Sequence, residues 1–244
     1  MIDPVDIALL AGLAFLGGLI FGLTGFGSSL VTIPLATHLV PLQFALALFA
    51  LGDLVSSLRV GLENPKNAVR REWIRMVPMI VAGTALGVTV LVNLPRAAGM
   101  ILLGTFVFCF ALYTLLARKS ERIVSSAWAW IAGLGGGITS TLFGAGGPPY
   151  AIYLSQRGLS KEQFRATLGC ATLTSISMRV AAFLITGLLL DWKVWTAALA
   201  VVPGAWFGIA LARKLFLRIS REQLMRAVTV MLLASGASLI WRAL

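Results

Sequence analysis

Leu142-Phe143-Gly144-Ala145-Gly146-Gly147-Pro148-Pro149 falls in the middle of an apolar run, residues 127 to 156, that is too long for one ordinary membrane crossing. Glycine is conformationally loose, and Pro148 and Pro149 each remove a backbone donor, so a helix entering this stretch must break within it. The run at 7 to 41 has the same excess length and is interrupted in the same way, by Gly22-Leu23-Thr24-Gly25-Phe26-Gly27-Ser28-Ser29. Each run therefore reads as two shorter helices joined by a bend, either a re-entrant hairpin or a pair of short crossings. Both options return the chain to the side it came from.

Working outward, the whole chain is a membrane protein. Of its 244 residues 59% are hydrophobic and 12% charged, with a mean hydropathy of +0.93, whereas soluble domains carry about a quarter charged residues. The length allows about six to eight crossings and excludes a soluble catalytic domain on an anchor. Clear spans are expected at 43 to 60, 76 to 94, 97 to 117, 166 to 189, 194 to 212 and 223 to 241. The net charge of +11 would suggest nucleic acid in a soluble protein, but here it reports topology. Most Lys and Arg residues fall in the connections at 59 to 75, 118 to 122, 157 to 165 and 213 to 226, and a single alternating path puts these four on one side. By the positive-inside rule that side is cytoplasmic, and both termini face outside. The acidic start, Asp3 to Asp6, does not resemble a secretory signal and is expected to belong to the mature fold. Tryptophans fall near span ends, as interfacial belts place them, except Trp206 at mid-span. Cys109 and Cys170 lie in apolar stretches without a second ligand, which predicts buried, inert thiols and no metal site.

The halves also resemble each other. Gly17-Gly18 and Gly25-x-Gly27 match Gly136-Gly137 and Gly144-x-Gly146, and Ser57-x-Arg59-Val60 matches Ser177-x-Arg179-Val180 at nearly the same offset. Trp73 matches Trp192, and Gly83-x-x-x-Gly87 matches Gly204-x-x-x-Gly208. A hairpin plus three spans is an odd number of reversals, so the second half enters the membrane upside down. The expected fold is an all-α polytopic membrane protein of two inverted-topology repeats, 1–122 and 123–244. Each is a broken or re-entrant helical hairpin plus three transmembrane helices, about eight membrane segments in all.

After each bend a helix is expected to restart, at Ser28-Ser29, where Ser suits an N-cap, and at Pro148, where Pro suits the first helical position. Each restart leaves free backbone N–H groups and partial positive charge at membrane depth. Two such ends brought together would bind an anion, glycines admitting it to the backbone and hydroxyls adding donors. The expected substrate contacts are Thr24, Gly25, Gly27, Ser28, Ser29, Gly144, Gly146, Gly147, Pro148 and Arg179. A plainer reading, glycines for close helix packing, accounts for Gly83-x-x-x-Gly87 but not for Pro-Pro at mid-membrane.

Asp53 and Arg179 are ionisable residues within spans, where charge is costly and marks function by default. Arg179 has planar donors suited to an oxyanion, or else forms a structural ion pair, with Asp53 as the partner. Asp53 alternatively carries a proton. Arg59 is the repeat partner of Arg179 at the cytoplasmic edge, where it either meets the ligand or snorkels. His38 reads as a surface residue. No metal and no cofactor is expected.

The motifs Gly25-Phe26-Gly27-Ser28-Ser29-Leu30-Val31-Thr32-Ile33-Pro34 and Leu142 to Leu154 resemble the paired signatures of the sulfite exporter TauE/SafE family, over essentially the whole chain. Ser28-Ser29 stand where that family commonly has further glycines, and Pro148-Pro149 follow the second set. The resemblance implies a permease for small sulfur-containing anions, such as sulfite, thiosulfate or organosulfonates like sulfoacetate, usually exporting them. The residues by themselves support a small anion. The expected function is thus a secondary transporter in the cell inner membrane, working by alternating access, with a small-anion channel as the alternative. Its expected partners are a small anionic substrate, the lipid bilayer and a proton or other coupling ion, with no nucleic acid. One histidine and no paired carboxylates leave no site for an intramembrane enzyme.

Overall fold

Asp3 accepts the Val5 amide at 3.0 Å and Pro4 opens the first turn, so a helix begins at Pro4. In this computed structural model, which describes residues 3–25, 28–116, 123–215, 229–230, 232–239 and 241, the described residues are helical or connecting and contain no strand. In chain order the elements are α1 (Pro4–Thr24), α2 (Ser28–Ala36), α3 (Leu42–Gly61), α4 (Arg70–Asn93) and α5 (Arg96–Leu116). They continue with α6 (Trp128–Phe143), α7 (Gly147–Ser155), α8 (Lys161–Ile185) and α9 (Trp192–Leu215). A 3-10 turn at Pro65–Asn67 separates α3 from α4. Among the described residues six helices, α1, α3, α4, α5, α8 and α9, are long and apolar enough to cross a bilayer. The span expected at 223 to 241 lies partly outside the described residues, and 229–230, 232–239 and 241 are helical.

Both breaks fall at the glycine strings. α1 ends at Gly25 with φ +82°, and α6 ends at Gly144 with φ +70°. A left-handed residue at the end of a helix turns the chain and returns its amide to the last carbonyls, and a Cβ there is costly. Gly25 donates to the Phe21 carbonyl at 2.7 Å and Gly144 to that of Ser140 at 2.9 Å. In one respect the first run differs from expectation. α1 has 21 residues and is long enough to cross by itself, so the run is one full helix and one short one, while the second run divides into 16 and 9 residues. α2 and α7, at nine residues each, are about 14 Å long, less than half the hydrocarbon thickness.

Each long arm packs against a helix from the other half of the chain, α1 along α9 and α6 along α4. The contacts are backbone-close. A Cβ on Gly204 would stand 2.6 Å from the Ala11 carbonyl oxygen, and one on Gly133 would stand 2.6 Å from that of Met76. Gly83 and Gly87 face Leu134, Ile138 and Thr141 of α6, so this motif does serve packing. α3 and α8 cross at the centre, where α2 and α7 also reach them. Ala45 to Ala50 of α3, Leu30 and Ile33 of α2 and Phe183 of α8 are buried in the apolar interior.

Cys170 is buried as expected, but Cys109 is exposed on α5. α5 is apolar on every side, and such a sequence does not reveal which face turns outward.

Candidate substrate site

The centre of the molecule is built on Asp53, midway along α3. Its buried carboxylate accepts hydrogen bonds from three side chains on two other helices. Ser28 Oγ donates to Oδ1 at 2.6 Å, Ser29 Oγ donates to Oδ2, and Arg179 Nη2 of α8 donates to Oδ2 at 2.6 Å. Arg179 Nη1 donates to the Ser140 carbonyl at 2.9 Å, in the last turn of α6. Arg179 is 1% exposed and Asp53 5%, so this ion pair is shielded from water and its hydrogen bonds are charge-assisted. The pair that the sequence left as one of two readings of Arg179 is therefore formed.

The two breaks explain why these groups converge. Because α1 stops at Gly25, α2 restarts at Ser28 and its first two residues point their hydroxyls at Asp53 rather than capping their own helix. Because α6 ends at Gly144, the Ser140 carbonyl lies in its last turn and accepts Arg179 as well as the Gly144 amide. A Cβ on Gly144 would come within 2.9 Å of Ser29 Oγ and 3.1 Å of Arg179 Nη1. Two water-sized cavities flank the carboxylate. One is lined by Ser28, Asp53, Ser140, Gly144, Gly146, Gly147, Thr172 and Ser175, the other by Gly17, Gly18, Ser28, Thr32, Gly52, Asp53 and Ser56. Thr172 Oγ1, Thr32 Oγ1 and Arg179 Nε are buried there or beside the pair without a hydrogen-bond partner.

Of the residues expected at the site, Ser28, Ser29, Asp53, Gly144, Gly146, Gly147 and Arg179 come together. Pro148 is buried in the first turn of α7. Thr24 donates to the Ile20 carbonyl of its own helix at 2.8 Å, and Gly25 has nothing within 4 Å of an added Cβ. Gly27 lies outside the described residues. Arg59 is not at the pair, for its guanidinium sits 4.3 Å from the ring centre of Trp206. That stacking gives the mid-span tryptophan its role. His38 is exposed, as a surface residue should be.

The sequence profile of the family described as "Sulfite exporter TauE/SafE" matches residues 10–239. The chain belongs to this family. It is 25% identical over 194 residues, 78% of this chain and 81% of the relative, to the "Probable inner membrane transporter protein TsaS" of Comamonas testosteroni. No solved structure gives a significant match. A TauE/SafE protein is a membrane transporter and not an enzyme, and its polytopic helices make the bilayer its first partner.

This TauE/SafE chain has a second buried acid that sequence reading passed over. Glu72, in the first turn of α4, accepts from Arg157 Nη2 at 2.8 Å and from the Tyr153 hydroxyl, and Arg75 approaches it to 4.0 Å. Arg157 also donates to the Val124 carbonyl, so α4, α7 and the strand of chain before α6 are tied together. The Glu72 carboxylate raises the pKa of Arg157 above its already high ordinary value, and the cation is permanent. Glu72 stands alone among Arg70, Arg71 and Arg75, and Tyr153 precedes Arg157 by one helical turn. Those were the available signals.

Proposed function

We propose that the protein moves a small sulfur-containing anion, such as sulfite or an organosulfonate, across the cell inner membrane by alternating access around the Arg179 site, as an exporter. The observation that carries this reading is that a carboxylate is already held there, by two hydroxyls in the first turn of α2 and by a buried guanidinium. Donors that hold one oxyanion suit another of similar charge. Thr24, Gly25, Gly144, Gly146, Gly147 and Pro148 shape the bends around it, and Asp53 and Arg59 are the groups open to coupling. The burial of the pair favours a transporter over an open channel.

Two inverted repeats, 1–122 and 123–244, account for alternating access, since halves that exchange conformations have outward-open and inward-open states of similar energy. The matched left-handed glycines and the reciprocal packing of α1 on α9 and α6 on α4 support this duplication. The bends then return each hairpin, about eight segments cross or enter the bilayer, and both termini lie outside.

The test is counterflow of radiolabelled sulfite and sulfonates in proteoliposomes. Saturable exchange is expected for the native chain, with no exchange for Gly146→Leu, whose side chain would meet Ser140 and Ser175. Normal counterflow by Gly146→Leu would overturn the site. Sidedness is read by impermeant thiol labelling in a background lacking Cys109 and Cys170. A cysteine at position 3 should label in intact cells and one at position 68 should not.

A further inference from the structure

We propose that Asp53 is a resident anion that competes with the transported one for Arg179, and yields it only when protonated, so that each anion crosses with one proton. This rests on the anion-transporter reading above.

Three observations lead there. First, the donors suited to an anion are already committed. Both α2 hydroxyls and Arg179 Nη2 end on the Asp53 carboxylate, and Arg179 Nη1 ends on Ser140. Second, no room for an anion is left beside them, because the cavities touching Asp53 are water-sized. Third, the surroundings hold donors with nothing to bind. Thr172 Oγ1, in the wall of one cavity, Thr32 Oγ1, in the wall of the other, and Arg179 Nε are buried without partners, a costly condition for any polar atom. The site therefore has more donor capacity than Asp53 uses, and too little space while Asp53 uses it.

An entering anion and a charged Asp53 would repel strongly in so dry a place, and Arg179 is the sole cation facing Asp53 among the described residues. From α2 the carboxylate meets Ser28 and Ser29, and from α8 Arg179. Tyr150 of α7 is bonded to Ser175, and Arg59 of α3 itself is turned to Trp206 on α9. α1 and α6 bring no charged side chain to it. The exchange that keeps charge balanced is addition of a proton to the Asp53 carboxylate, giving a neutral acid that releases Arg179 to the anion. On the far side the anion leaves, the acid gives up its proton, and the ion pair reforms. For a monovalent anion the loaded and empty states then carry the same charge. An anion that accumulates inside then leaves down the combined gradients of anion and proton, untouched by the membrane potential.

The experiment measures proton uptake on anion binding, with a pH-indicating dye, in weakly buffered solutions of the purified full chain. The probes are sulfite and methanesulfonate, the latter because its charge is fixed. The native chain should take up about one proton per anion, and affinity should fall about tenfold per pH unit once Asp53 is ionised. Asp53→Asn should bind with no proton uptake and with pH-independent affinity. Binding without proton uptake by the native chain, or undiminished uptake by Asp53→Asn, would overturn the inference while leaving the transporter reading intact. Failure of the native chain to bind or exchange either probe would remove both. Where Asp53→Asn does not fold, the native stoichiometry decides alone.

Discussion

At the first bend Gly25 takes a left-handed φ with open space around it, whereas at the second Gly144 takes the same φ with Ser29 and Arg179 pressed against it. The same backbone device is used twice for different ends. The first bend delivers groups to the centre, since α2 restarts on two serines whose hydroxyls reach Asp53. The second makes room, since Gly144, Gly146 and Gly147 line a cavity that side chains would fill. The helix ends differ too. In the first turn of α7 Pro148 and Pro149 have no N–H, so that end offers fewer donors than α2 does. A pair of equivalent half-helix ends, as the sequence suggested, thus becomes a donor side and a wall.

The largest effect should come from cutting the ion pair both bends converge on. Arg179→Ala leaves Asp53 buried and uncompensated, and should cost about 3–5 kcal/mol in denaturant unfolding in detergent. The double variant Asp53→Asn with Arg179→Gln should recover most of that stability yet remain without transport. Full transport by the double variant would show that the pair only holds the fold.

Next, Gly144→Ala should destabilise more than Gly25→Ala. Gly25→Ala carries only the left-handed penalty, about 1–2 kcal/mol, while Gly144→Ala adds contact with Ser29 and Arg179. Equal losses in thermal unfolding would erase the distinction between the bends. Ser29→Ala should cost about 1.5–3 kcal/mol, the range for a hydrogen bond to a charged group. The smallest change is expected for Pro149→Ala, below about 1 kcal/mol, because proline in a first turn is tolerated rather than required. A loss at Pro149 as large as that at Ser29 would mean that the second bend also holds the anion.

The breaks were legible because glycine strings and a proline pair leave a helix few alternatives. Five of the six long helices, α3, α4, α5, α8 and α9, were legible from apolar runs between charges, whereas α1 read as half of a broken run. The partner of Arg179 was left open, because local periodicity does not say which helices meet when two residues are far apart in the chain. Glu72 was passed over for a different reason. In a basic connection a single acid reads as solvated charge, and only packing of α7 beside α4 turns it into the centre of a buried network. Ser28 was legible as a helix start but not as a ligand of Asp53. That role depends on where α3 lies.

The reciprocal packing of the long arms also has a consequence for synthesis. α6 follows its partner α4 closely, but α1 leaves the ribosome before the other described helices and its partner α9 comes well after it. At about 5–20 residues per second, α1 waits on the order of ten seconds or more in the bilayer with its glycine face covered only by lipid. Its backbone polar groups are satisfied within the helix, so lipid is a tolerable stand-in. The first half alone cannot complete its own packing, and a chain truncated before α9 should be recognised by membrane proteases as unfinished.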